Sequence, residues 1–179
     1  MNGNDLTNFK TESFFISKPM FNSIENDFFQ KLLNDESINE FLPDLNSWLE
    51  MEKTITTPGK NQITSVVYLD EIPIGILSFF ILDEDEIIIS YGISPDQRGK
   101  NYASSLKKEV CNYLFNRFKN LKYIVGYGDA NNKKVFNSIN KSGYDKITTI
   151  DDPASGKKYF KTYVYSPFLK KAMEGKKQS

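Results

Sequence analysis

Nine consecutive residues, Pro95-Asp96-Gln97-Arg98-Gly99-Lys100-Asn101-Tyr102-Ala103, place a turn former, a glycine and two cations between an apolar run and an amphipathic stripe. A turn that joins a strand to a helix aims successive backbone N–H groups outward, and the unbonded amides of the first helical turn add about half a positive charge at that end. Such a cradle suits an anion, above all a diphosphate. Gly99 lets the backbone approach a ligand with no Cβ between them, while Arg98 and Lys100 supply cationic reach. Taken alone, an Arg-Gly-Lys triplet more often marks an ordinary strand-to-helix loop, so the placement carries more weight than the letters.

What the chain lacks narrows the chemistry further. None of its 179 residues is a histidine, so no imidazole can take a proton from a serine or cysteine nucleophile, which excludes Ser-His-Asp and Cys-His catalysis. Cys111 stands alone, so it can form no internal disulfide, and without histidine it cannot complete a four-ligand zinc site; no metal is expected. A lone thiol suits a reducing, cytoplasmic setting. Residues 1–10 are polar, and no stretch approaches the roughly 18 apolar residues of a span, so neither a secretory signal nor a membrane helix is expected.

The formal charge is zero, but it is unevenly spread. Residues 1–97 hold 17 of the 23 acids and 5 of the 23 bases, leaving 6 acids and 18 bases in residues 98–179. This asymmetry predicts one anionic and one cationic partner.

The elements that must position the 95–103 loop follow from periodicity. Apolar residues at three- and four-residue steps over 24–49 predict two helices, broken near Asn34 and Pro43. Residues 63–69 and 74–82 read as a hairpin across Asp70-Glu71, and 86–93, apolar almost throughout, as a central strand that stops at Ser94-Pro95. Ala103, Leu106, Val110, Leu114 and Phe118 form one stripe of a helix of about five turns. A strand over 123–127, a short helix opened by Asn131 or Asn132 and ended by Gly143, and an antiparallel pair over 147–150 and 158–165 complete the order. The basic residues 167–179 are expected to form a flexible tail. The fold class is α/β (α+β), a single domain with a mixed, mostly antiparallel sheet of about six to seven strands. Strands 86–93 and 123–127, joined through a helix, should run parallel with a right-handed crossover.

Residues 91–103 resemble motif A of the GNAT acetyltransferase superfamily, in which Arg or Gln, two residues, Gly, one residue, then Gly or Ala hold the pyrophosphate of coenzyme A. Arg98 matches the first position and Ala103 the last. Asn101 departs from the usual Gly, and asparagine is the best substitute where positive φ is needed. Residues 132–144 are similar to motif B, an Asn opening a helix that ends in Gly and an aromatic. Residues 24–48 resemble the first helices of the ribosomal-protein alanine acetyltransferase branch. The resemblance implies acetyl-CoA as co-substrate, a splayed parallel strand pair, and cofactor contacts from Ile93, Arg98, Gly99, Lys100, Asn101, Tyr102, Ala103, Ser104 and Asn132, with Lys133, Lys134 and Lys141 near the nucleotide end.

The family mechanism, direct attack of an amine on the thioester, sets three needs. A backbone N–H around residues 91–93 should meet the carbonyl oxygen, with Gly92 either easing a bulge there or acting as a packing glycine. Glu86 is the candidate base, the bland alternative being the solvent-facing end of an acidic turn. The motif B tyrosine that protonates the departing thiolate in many members is replaced by Ile139; Tyr91, Tyr127, Tyr144 or solvent can stand in. Glu36, Glu40, Asp83 and Asp85 are candidates to meet a cationic acceptor, whether a protein N-terminus, a polyamine, an aminoglycoside or an amino acid. A non-catalytic coenzyme A sensor is the second reading, an RNA partner of the basic half a distant third. A homodimer is compatible with the sequence, and no membrane partner is expected.

Overall fold

The computed structural model describes residues 6–36, 38, 62–131, 136, 137, 139, 140, 143–153 and 156–175. Its strands are β1 (Asn8–Lys10), β2 (Phe15–Ser17), β3 (Gln62–Leu69), β4 (Ile72–Ile81), β5 (Glu86–Ile93), β6 (Tyr123–Asp129), β7 (Lys146–Asp151) and β8 (Lys158–Tyr165). Its helices are α1 (Ser23–Leu33), α2 (Tyr102–Arg117) and α3 (Pro167–Gly175). Hydrogen bonding orders the strands β1-β2-β3-β4-β5-β6-β8-β7. Two compact units divide the chain: Met1–Phe80 with Tyr91–Val110, and Ile81–Ser90 with Cys111–Ser179. Among the described residues no helix is long and apolar enough to cross a membrane.

In the first unit, β3 and β4 pair antiparallel around the turn at Asp70 and Glu71, both with positive φ (48° and 68°) as a tight two-residue hairpin requires. Helix α1 opens on Asn22, whose Oδ1 accepts from Glu25 N at 2.9 Å, and closes at Asn34, the break expected there. Its apolar face, Phe28, Phe29 and Leu32, packs with Ile38 on Val66, Tyr68 and Ile76. The Glu25 carboxylate is fully buried; Oε2 accepts from Met20 N at 2.6 Å and Phe21 N at 2.5 Å, and Oε1 accepts from the Tyr68 hydroxyl. Burial first, then the adjacent carboxylate, push the Tyr68 phenol well above its ordinary range.

Strands were not expected ahead of α1. Strands β1 and β2 precede α1 and pair antiparallel through three positions, so the sheet has eight strands, beyond the six or seven expected. The turn between them is pinned to α2 by Glu109, whose carboxylate accepts from Thr11 Oγ1 at 2.7 Å, Ser13 N at 2.8 Å and Ser13 Oγ at 2.8 Å. Burial alone would raise the Glu109 carboxyl, but these donors outweigh it and hold the group below the usual glutamate value.

In the second unit, β5 and β6 pair parallel over Glu86–Tyr123, Ile87–Ile124 and Ile88–Val125, and the registered pairs end there. Strand β8 lies between β6 and β7, antiparallel to both. Residues 167–175, expected as a loose tail, form α3. Ser166 Oγ accepts from Leu169 N at 3.2 Å as its cap, Pro167 takes the first helical position, and Lys170 Nζ meets Asp145 Oδ1 at 2.8 Å.

Candidate active site

Strand β5 ends at Ile93, and Ser94 N donates to Ile74 O at 2.9 Å. A single turn of 3-10 helix, Pro95–Gln97, follows, closed by Arg98 N to Pro95 O at 3.4 Å. The backbone then passes through positive φ at Gly99 (80°) and at Asn101 (62°) before α2 begins. Asn101 therefore adopts the conformation for which its family position usually holds glycine, as expected of the side chain that best tolerates it.

Those two left-handed residues turn the amides of residues 99–103 away from the carbonyls that would otherwise bond them. Ser104 N and Ser105 N return to Asn101 O at 3.1 and 3.2 Å, and among the described residues no acceptor meets the five N–H groups before them. A Cβ built on Gly99 would meet nothing within 4 Å, so the backbone there is open to approach. Five amides without an acceptor among the described residues, at a helix start and with Lys100 on the same loop, are the residues that could hold an anion such as a diphosphate. Ser104 contributes its exposed hydroxyl at most, its N–H being bonded. Tyr102 packs edge-on to Phe14 (6.4 Å between centroids) beneath Lys100 Nζ at 5.9 Å.

The Arg98 side chain is engaged within the protein. Its Nε donates to Ile93 O at 3.0 Å, and its two Nη atoms reach Asp35 Oδ2 and Oδ1 at 3.0 and 2.9 Å. The cationic reach of the loop thus rests with Lys100, whose Nζ donates to Gln97 Oε1 at 2.9 Å. Asp96 is held below the usual carboxylate range chiefly by the Ser94 hydroxyl at 2.7 Å, with Lys31 at 3.5 Å adding to it.

Gly92 is a close-packing glycine: a Cβ on it would lie 2.6 Å from Ile38 Cδ1. Gly75 on β4 is tighter still, its Cβ falling 2.5 Å from the Gly92 carbonyl oxygen. This approach of two backbones brings Ile74, Gly75, Gly92 and Ile93 together behind the loop. The sequence signal for Gly75, a glycine inside an apolar strand, was present and unused.

Glu86 opens β5, six residues before Gly92, or about 20 Å at the rise of a strand. Its carboxylate faces Lys161 Nζ at 3.5 Å, and that ammonium lies over Tyr163 at 5.1 Å and Tyr127 at 5.8 Å. Asp83 Oδ1 accepts from Asp85 N and Glu86 N at 2.7 and 2.9 Å, and Asp85 pairs with Lys122 at 2.5 Å, so both serve the turn into β5. Glu36 is exposed. Tyr91 and Tyr144 are half-buried, and Ile139 is buried. Gly143 has φ 63°. Glu40, Asn132, Lys133, Lys134 and Lys141 lie outside the described residues. A shallow cavity of about 820 Å³, lined among others by Glu12, Phe15, Tyr68 and Asp70, contains none of the expected site residues.

Comparison with known proteins follows the same geometry. No curated protein matches the sequence. Among solved structures, a GNAT-family acetyltransferase from Bacillus anthracis superposes with a TM-score of 0.67 at 16% identity, covering 89% of this chain and 99% of that one. Aminoglycoside N(6')-acetyltransferase from Legionella pneumophila gives 0.67 at 15%, covering 92% and 98%. A ribosomal-protein alpha-N-acetyltransferase, RimL, in complex with coenzyme A gives 0.61 at 8%, covering 87% and 95%. At such identities these likenesses establish the fold. The family model for the acetyltransferase (GNAT) domain matches residues 21–145, so the loop, the glycine pair behind it and the strands that carry them belong to a GNAT acetyltransferase, an acyltransferase by family.

Proposed function

We infer that this chain transfers an acetyl group from acetyl-CoA to a primary amine of a cationic acceptor by direct attack. The observation that carries this is the run of five amides at residues 99–103 that meet no acceptor among the described residues, opened by positive φ at Gly99 and Asn101. Those amides and Lys100 would hold the diphosphate, Tyr102 and Ala103 standing at the first turn of α2. When bound, acetyl-CoA supplies a thioester whose acyl carbon is the electrophile. The chain's own part is to orient it: main-chain N–H groups near residues 91–93 are the proposed donors to the acyl oxygen.

Glu86 is better assigned to its ion pair with Lys161 than to proton removal, since it stands at the far end of β5 from Gly92. The acceptor's proton then passes to solvent or to a carboxylate elsewhere in the chain. A cationic acceptor is supported by the 17 acids against 5 bases of residues 1–97, and a protein N-terminus is ranked just ahead of a polyamine or aminoglycoside. The cytoplasm is the proposed setting, with Cys111 buried and in no disulfide.

Free thiol release from acetyl-CoA, followed against a panel of N-terminal peptides, polyamines and aminoglycosides, tests the assignment. Release that depends on one amine class supports it. Tight binding of coenzyme A with no release on any amine would favour the sensing module.

A further inference from the structure

Arg98 begins the loop, yet the three bonds of its guanidinium all go to protein. Nε holds the Ile93 carbonyl at 3.0 Å, and the two Nη atoms form a bidentate pair with Asp35 at 2.9 and 3.0 Å. Asp35 Oδ1 also accepts from Ile38 N at 2.9 Å, an N–H shared with the Asp35 carbonyl at 3.1 Å. Ile38 in turn sets its Cδ1 against Gly92, 2.6 Å from where a Cβ would stand. The contacts close a ring: Ile93 to Arg98, Arg98 to Asp35, Asp35 to Ile38, Ile38 to Gly92, and Gly92 along the chain to Ile93.

We propose that Arg98 is a positioning residue, which fastens Asp35 and, through it, Ile38 to the end of β5 and leaves the diphosphate to the loop amides and Lys100. Gripping a phosphate would require the side chain to surrender its carboxylate partner. The Asp35 side chain is only 16% exposed, and stripping it of a bidentate cation leaves a poorly solvated charge. The amides of residues 99–103, which meet no acceptor among the described residues, would supply the anion site without that loss. What the ring controls is the placement of residues 91–93 relative to Ile38. Misplacement by about 1 Å at a reacting centre costs on the order of a hundredfold in rate. The role rests on the acetyl-transfer assignment above, but the ring itself does not.

The test compares wild type with Arg98→Gln, Arg98→Lys and Asp35→Asn. Calorimetry with coenzyme A should give dissociation constants within about threefold of wild type for all three, whereas loss of a charged phosphate contact is worth roughly tenfold or more. Turnover should fall by about tenfold or more in all three, with Lys no better than Gln because an ammonium cannot reproduce the fork. The double variant Arg98→Gln/Asp35→Asn should be no slower than the worse single change. Hydrogen exchange at the Ile38 amide, measured without any cofactor, should quicken in each variant. Tenfold weaker coenzyme A binding in Arg98→Gln, rescued by Arg98→Lys and absent from Asp35→Asn, would overturn the proposal. So would unchanged exchange at Ile38. Wild-type protein that binds no coenzyme A defeats the functional assignment instead, and the exchange measurement still decides the role of Arg98. Should an Arg98 variant fail to fold, Asp35→Asn alone reads both the rate and the exchange.

Discussion

At the scale of single residues, Asn101 shows how a departure from a motif can still satisfy the physics behind it. The position needs φ near 62°, which asparagine tolerates and a β-branched side chain does not. Asn101→Gly should keep both stability and coenzyme A binding, while Asn101→Val should cost about 1–2 kcal/mol and weaken binding, as thermal melts and calorimetry would show. Glu25 makes the opposite case, a buried charge held by three donors. Tyr68→Phe removes one of them and should lower unfolding free energy by about 1–3 kcal/mol in a urea titration. Asn101 and Gly99 were legible in the sequence because their requirement is local. Glu25–Tyr68 and Asp35–Arg98 were not, because their partners lie 43 and 63 residues apart and only the fold brings them together.

At the scale of elements, the two glycines facing each other across β4 and β5 differ in what surrounds them. A methyl on Gly75 meets backbone, which cannot give, whereas one on Gly92 meets the tip of Ile38, which can turn aside. Gly75→Ala should therefore destabilise by about 2–3 kcal/mol and Gly92→Ala by about half that, both read from denaturant midpoints. The Glu109 pin between α2 and the β1–β2 turn should show its sign in pH. Its folded value lies below the unfolded one, so its contribution is complete above the unfolded value and disappears as pH falls through the folded one. Glu109→Gln should cost about 1–2 kcal/mol near neutrality, with the difference from wild type closing below about pH 4. Strands β3 to β8 were legible because runs of six or more residues carry a clear pattern. Strands β1 and β2 were not, each being three residues long. Helix α3 was hidden by its lysines, although Ser166 and Pro167 spell a start signal.

At the scale of the whole molecule, the charge map makes its own prediction. If residues 1–97 attract a cationic acceptor, KM for polyamines or basic peptides should rise with added salt over 50–300 mM, while KM for a neutral amine stays level. The division into units has a further consequence for how the protein is made. Each unit takes one stretch from either side of the other's, and β5 and α2 are both split between them. Neither unit can be cut out as one continuous fragment without carrying a piece of its neighbour. On a ribosome the first can close only after Val110 has left the exit tunnel, and the second must wait for β8, whose two flanking strands emerge before it. Late arrival of that strand makes β6 and β7 the surfaces most in need of shielding while synthesis runs.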